Sequence, residues 1–340
     1  MQLERIRRGV MPCGMLCACF LLAVIAGCKA KGDNGNNPGS SSASAAPFMS
    51  TVASAPPQSA DDAPPPESTS GFDGKRAFAH VTKQVAFGPH PTGSQAIVQV
   101  QDYLESELKS FGCALETDSF SADTPAGRLP MKNILVKIPG DKPGIILLAT
   151  HYDTKRIPKF VGADDGGSST GVMLEVARLL CRQRGKYAVW IAFFDAEEAV
   201  NFVWKDPDNC YGSRQMAARF AASGDIPKIK AFLLADLVGG KKPHFRRDGT
   251  STKWLVDLVW GVAAKLGYSD VFLNERYDMG GDDHFSFKKR DVPVIDVFDL
   301  DTNDVPYWHT TEDTLDKISA KTLAIVGHVF LESVKQLQAK

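Results

Sequence analysis

The sequence predicts an α/β fold: a single-domain three-layer α/β/α sandwich with a mostly parallel central sheet. Three observations predict it. Short apolar runs alternate with stretches of helical periodicity, the pattern of strands joined by right-handed helical crossovers. Two runs, Ile145 to Thr150 and Tyr187 to Phe194, are apolar at nearly every position, as strands covered on both faces require. Five residues with metal-binding side chains, His151, Asp165, Glu198, Asp236 and His309, are spread along the chain at the ends of predicted strands. A parallel sheet gathers such residues only at its carboxyl edge.

The N-terminal segment reads as an address. Arg5, Arg7 and Arg8 precede an apolar stretch from Met11 to Ala26 that ends in Ile25-Ala26-Gly27-Cys28. A basic start, a short apolar region and small residues describe a signal peptide, and the stretch is short for a membrane-spanning helix. Ile-Ala-Gly-Cys also resembles a bacterial lipobox, which makes Cys28 the expected lipidation site; an ordinary signal peptide with an incidental cysteine is the plainer alternative. Lys29 after the cysteine resembles the outer-membrane sorting pattern. The expected location is therefore the bacterial cell envelope, lipid-anchored and facing the periplasm or the surface. Residues 29–70 are rich in Ser, Ala, Pro, Gly and Asn and carry too little apolar surface to offset ordering entropy, so they read as a flexible tether. The domain is expected over 71–340, a length of 270 residues (340 minus 70) that suits one core.

Composition narrows the function. With 39 Lys plus Arg against 40 Asp plus Glu, the net charge is −1, and no basic excess points to nucleic acid. Of the seven cysteines only Cys113, Cys181 and Cys210 fall in the domain. Three thiols allow at most one disulfide and leave one free. They form no cysteine metal cluster, so a metal site must use histidines and carboxylates.

The elements follow in order. Val98 to Phe111 has helical apolar spacing. Asn133 to Ile138 and Ile145 to Thr150 are strands split by the turn cluster Pro-Gly-Asp-Lys-Pro-Gly, and the second delivers His151. Ser169 to Arg182 is a helix with Val172, Leu174, Val176, Leu179 and Leu180 as its apolar positions. Tyr187 to Phe194 delivers Asp195, Glu197 and Glu198. Ser213 to Phe220 is a short helix, and Ile229 to Leu234 a strand that delivers Asp236. Trp254 to Leu266 is helical, Val292 to Phe298 a strand, and Thr314 to Leu337 a long closing helix.

The candidate residues lie in short, unusual contexts. His151-Tyr152-Asp153, Gly162-Ala163-Asp164-Asp165, Glu197-Glu198, Asp236 and His309-Thr310 occur in that order. On this frame lie His151-Tyr152-Asp153-Thr154-Lys155, Phe160-Val161-Gly162-Ala163, and Trp204 ahead of Tyr211-Gly212-Ser213-Arg214. Asp282-Asp283-His284 with Phe287, and Trp308-His309, complete the set. From about Phe72 to its end the chain resembles the zinc aminopeptidase-like family that contains the animal-type glutaminyl-peptide cyclotransferases.

The resemblance implies zinc held by Asp165, Glu198 and His309, the positions of the single zinc in the cyclases. In the aminopeptidases the aspartate bridges two zincs, with His151 and Asp236 completing the pair. One ion is thus expected here and two are allowed. Read singly, Asp165 is a turn aspartate and His309 a hydrogen-bonded core histidine; read together they form a ligand set. Glu197, next to a ligand at a strand-to-loop transition, has the position of a proton shuttle. Asp236 and Asp282 resemble cyclase residues that share proton and orientation work; as structural residues they would cap a strand end and a short helical turn. Trp204 and Trp308 wall a pocket for a flat glutamine side chain, or else pack in the core.

The implied reaction converts the N-terminal glutamine of a peptide or protein to pyroglutamate, with ammonia released. Two departures stand out: Asp296 replaces a histidine of the animal enzymes, where it threatens like-charge repulsion with Asp282, and Thr150 stands where some relatives have a half-disulfide. The alternatives are a di-zinc aminopeptidase and an inactive surface binding module. A monomer is expected, with the membrane reached only through the lipid.

Overall fold

The computed structural model describes residues 63–340, apart from Met279, Leu300, Thr302 and Asn303. The expected signal peptide, Cys28 and most of the tether lie outside the described residues. The domain itself starts earlier than Gly71. Pro66–Ser68 form a helical turn, Thr69 is buried, and its hydroxyl donates to the Phe72 carbonyl at 2.6 Å. The end of the expected tether therefore belongs to the fold.

Helix α1 (Gly74–Val85) opens on Asp73, whose carboxylate accepts from the Lys75 and Arg76 amides, and α2 (Gln95–Ser110) opens on Ser94, which accepts from Ile97 N. Both are side-chain N-caps of the usual kind. A hairpin follows, β1 (Leu115–Thr124) against β2 (Gly127–Ile138). The chain then alternates: β3 (Ile145–His151), α3 (Gly167–Leu180), β4 (Ala188–Phe194), α4 (Tyr211–Ala222), β5 (Ile229–Ala235) and β6 (Phe245–Asp248). It ends with α5 (Lys253–Lys265), β7 (Phe272–Tyr277), α6 (His284–Lys288), β8 (Val294–Val297) and α7 (Ala320–Ala339).

The six-stranded sheet has the order β1-β2-β4-β3-β5-β8. Pairings β4–β3, β3–β5 and β5–β8 are parallel, and the β1–β2 hairpin joins β4 antiparallel. Alternation along each strand sends side chains to opposite faces. Ile146, Leu148, Ile191 and Leu233 pack with α1, α2, α3, α5 and α7. Leu147, Ala149, Phe194 and Phe232 pack with Met216 and Phe220 of α4 and Phe287 of α6. Two cores on one sheet make the three expected layers.

The closing helix starts at Ala320, capped by Ser319, not at Thr314. Residues 314–319 are loop: Ile318 pairs with Gly240 in an isolated bridge, and Ser319 N donates to Gly239 O at 2.8 Å. Elements absent from the sequence reading are α1, β1, the first half of β2, and the small parallel ladder β6–β7. Among the described residues Cys113 and Cys181 form the one disulfide, and Cys210 remains a buried free thiol.

Candidate active site

The sheet register sets the site. His151 pairs with Phe194 across β3 and β4, so the residues after Phe194 emerge beside it at the carboxyl edge. Ala196 has a left-handed φ of 58°, which turns the chain so that Glu197 and Glu198 both reach one cleft. Asp153 fixes that turn: its carboxylate accepts from Glu197 N at 3.0 Å and Glu198 N at 3.3 Å. Asp165 lies in the loop before α3, where Asp313 accepts from the Asp164 and Asp165 amides at 2.8 and 3.1 Å. Gly166 follows with φ 78°, and a Cβ there would lie 2.8 Å from the His151 ring; only glycine fits this approach.

Two groups of donors result, and they share Asp165: His151, Asp165 and Asp236 in one, Asp165, Glu198 and His309 in the other. His309 Nε2 stands 3.3 Å from Asp165 Oδ2 and 3.2 Å from Glu198 Oε1. His151 Nε2 stands 3.1 Å from Asp236 Oδ1 and 3.4 Å from Asp165 Oδ1. Buried polar atoms normally find hydrogen-bond partners. Here Asp165 Oδ2 and both Glu198 oxygens are buried without one. Orphaned carboxylate oxygens converging beside an imidazole are the donor set that a zinc ion takes, so the residues fit the metal.

A cavity of about 250 Å³ opens over this set, lined by Asp165, Glu197, Glu198, Trp204, Asp236, Leu237, Gly280, Gly281, Asp282, Phe298, Trp308 and His309. Trp308 stacks on His309, ring centroids 4.0 Å apart, and Trp204 is tied to the opposite wall by its indole N–H, which donates to Gly281 O at 3.1 Å. Lys155 is buried beneath Trp204, with its ammonium 5.8 Å from that ring and 3.3 Å from Glu198 Oε2.

Electrostatics divide the carboxylates. Burial raises the Glu197 pKa well above the usual range; nearby His151 opposes this, while Asp282, Glu198 and Asp283 add to it. Burial, then the Asp236 carboxylate, pushes Asp282 up to about 6. Asp165 goes the other way: burial opposes ionisation, but the adjacent His151 and His309 imidazoles outweigh it and pull its pKa below the usual range. Perturbed groups in one cleft mark a functional site.

Every residue expected at the site except His151 lines the cavity; His151 lies behind it, against Asp165 and Asp236. Asp282 does not occupy the N-cap of α6, which falls to Asp283. Asp153, Asp164 and Asp313 were not singled out as site residues, though they hold its loops. Asp164 accepts from the Tyr307 hydroxyl at 2.7 Å and from Gly239 N at 2.7 Å. Their one sequence signal is their place beside the ligand motifs.

Comparison with known proteins agrees with this geometry. Residues 133–334 match the peptidase family M28. The chain is 39% identical to the glutaminyl cyclase of an Acidobacteriales bacterium, with a TM-score of 0.74 over 79% of this chain and 95% of that one. It is 31% identical to a Zn-dependent exopeptidase from Parabacteroides distasonis, with a TM-score of 0.69 over 77% and 97%. A glutaminyl-peptide cyclotransferase-like protein of Bos taurus is 30% identical over 252 residues, and the match spans 65% of each chain.

Proposed function

We propose that this chain, which belongs to peptidase family M28, is a zinc-dependent glutaminyl-peptide cyclotransferase acting on N-terminal glutamine. The observation that carries the reading is a small aromatic-walled cavity with Glu197 beside the donor set. The chain's similarity to glutaminyl cyclases supports it.

Asp165, Glu198 and His309 would hold one zinc. When bound, zinc supplies Lewis-acid polarisation of a carbonyl oxygen. The chain's own residues do the rest. Trp204 and Trp308 flank the flat side-chain amide and hold the ring-forming conformer, a proximity effect that replaces a protein nucleophile. The α-amine nitrogen forms a bond to the side-chain amide carbon, and the bond from that carbon to its own nitrogen breaks. Glu197 takes the proton that the amine loses and delivers it to the departing nitrogen, which leaves as ammonia. A carboxylate whose pKa burial has raised is suited to both halves of that transfer. Asp236 and Asp282, on the same wall, orient the amine.

A single zinc is favoured because His151 already hydrogen-bonds Asp236, at 3.1 Å, and because Lys155 brings a cation to Glu198. The second donor group, shared through Asp165, favours the aminopeptidase as the other reading. The purified enzyme should contain one zinc, release ammonia from glutamine-initiated peptides and leave leucine-initiated peptides whole. Free leucine released faster than ammonia would give the chain to the aminopeptidase reading.

The envelope location is part of the same proposal, supported by Ile25-Ala26-Gly27-Cys28. Cys28→Ser should move the protein out of the membrane fraction; a wild-type protein already soluble would exclude the anchor.

A further inference from the structure

Asp282 of the pocket lining forms a cluster with two polar residues to which the reaction above assigns no role. Asp296 on β8 and His284 at the start of α6 are both buried. One oxygen of Asp282, one of Asp296 and a ring nitrogen of His284 lie within 4.8 Å of one another. His284 Nδ1 is 3.2 Å from Asp296 Oδ2. Yet both Asp296 oxygens and His284 Nδ1 lack a hydrogen-bond partner.

Thr250 settles where the hydrogens are. Its hydroxyl donates to Asp248 Oδ2 at 2.6 Å, an oxygen that also accepts from the Ser251 hydroxyl at 2.7 Å. A hydroxyl has one hydrogen. Thr250 Oγ1 can then only accept from His284 Nε2, 2.9 Å away. The imidazole thus carries its hydrogen on Nε2. Burial keeps the ring neutral by lowering its pKa, against the pull of Asp282 and Asp248, so Nδ1 presents a bare lone pair to Asp296.

An ionised Asp296 would face that lone pair on one side and the Asp282 carboxylate on the other. A buried charge without a donor is strongly disfavoured. We infer that Asp296 is a neutral carboxylic acid whose hydrogen is donated within the Asp282–Asp296–His284 cluster, so that Asp296 and His284 are positioning residues for Asp282. The groups facing the cluster agree with this. Asp282 comes from the loop before α6, Asp248 from β6 and Asp236 from the end of β5; Lys288 of α6 is a cation near His284, and His151 acts on Asp282 from the far side. Burial first, then Asp282, Asp248 and Asp236, raise the Asp296 pKa well above the usual range. Asp282 thereby meets a neutral neighbour and not a second negative charge.

The test uses the zinc-loaded enzyme and rests on the proposed function only in its kinetic arm. Asp296→Asn keeps a neutral group that can donate; Asp296→Ala keeps none. The alanine variant should lower kcat on a glutamine peptide on the order of a hundredfold, with KM little changed, and the asparagine variant should restore most of that loss. Infrared difference spectra of wild type minus Asp296→Asn at pH 7 should show a carboxylic-acid carbonyl band that shifts in D₂O. Asparagine as damaging as alanine, the absence of that band, or a second metal ion lost in Asp296→Asn would each overturn the assignment. If wild type released no ammonia, the proposed function would fail, and the infrared result would still decide the state of Asp296.

Discussion

Glu197 differs from its neighbour Glu198 in a way that the sequence pair alone does not show. Both amides are held by Asp153, yet only Glu198 faces His309, at 3.2 Å. Glu197 instead lies 3.9 Å from His151, free to move a proton. Glu197→Gln should therefore keep zinc, fold and melting temperature but lose turnover by a hundred- to ten-thousand-fold, the range of general acid–base catalysis. Metal analysis together with the rate of ammonia release checks this; a near wild-type rate would pass the proton role to Asp236 or Asp282. These residues were legible because each stands in a short motif at a strand end. Asp153 and Asp313 were not, because an aspartate that accepts two backbone amides has no pattern of its own. Only the fold brings Asp313 to the amides of Asp164 and Asp165.

The same divide holds for elements. The strands β3, β4 and β5 could be read because they are largely buried and apolar at most positions. β1 alternates between half-buried and exposed positions at the sheet edge, and its sequence, Leu-Glu-Thr-Asp-Ser-Phe-Ser-Ala-Asp-Thr, offers few apolar residues to betray a strand. The packing of α7 carries a further consequence. Phe72, fully buried, lays its ring against the helix where Gly327 has no side chain, and a Cβ there would sit 2.1 Å from the ring. Neither neighbour can yield easily in a close-packed interior. Gly327→Ala should cost about 1–3 kcal/mol, the usual range for overpacking, and lower the denaturant midpoint while the zinc content of the folded fraction stays the same. Adding Phe72→Leu should recover part of the loss. An unchanged midpoint in the single variant would mean that Phe72 packs elsewhere.

At the scale of the molecule, chemistry and crosslink occupy opposite ends. α3 starts at the Asp165 loop and runs to Leu180, and the disulfide from Cys181 to Cys113 closes just beyond it. Fourteen residues of helix put roughly 20 Å between the two at 1.5 Å per residue. The bond spans 68 positions of sequence and ties the end of α2 to the end of α3. In the chain-entropy account a loop of that length stabilises the fold by roughly 4 kcal/mol, chiefly by restricting the unfolded chain. Such a bond would also suit the oxidising envelope location proposed above. Its count, though not its partners, was legible from three cysteines in the domain. Cys113→Ala with Cys181→Ala, preferable to a reductant that would compete for zinc, should lower the denaturant midpoint. It should leave the zinc content and the rate of ammonia release near wild type under native conditions, because no site residue leans on the bond. A midpoint equal to wild type would show that the two sulfurs are not joined, whereas a loss of zinc with an unchanged midpoint would show that the far end of α3 reaches the site after all.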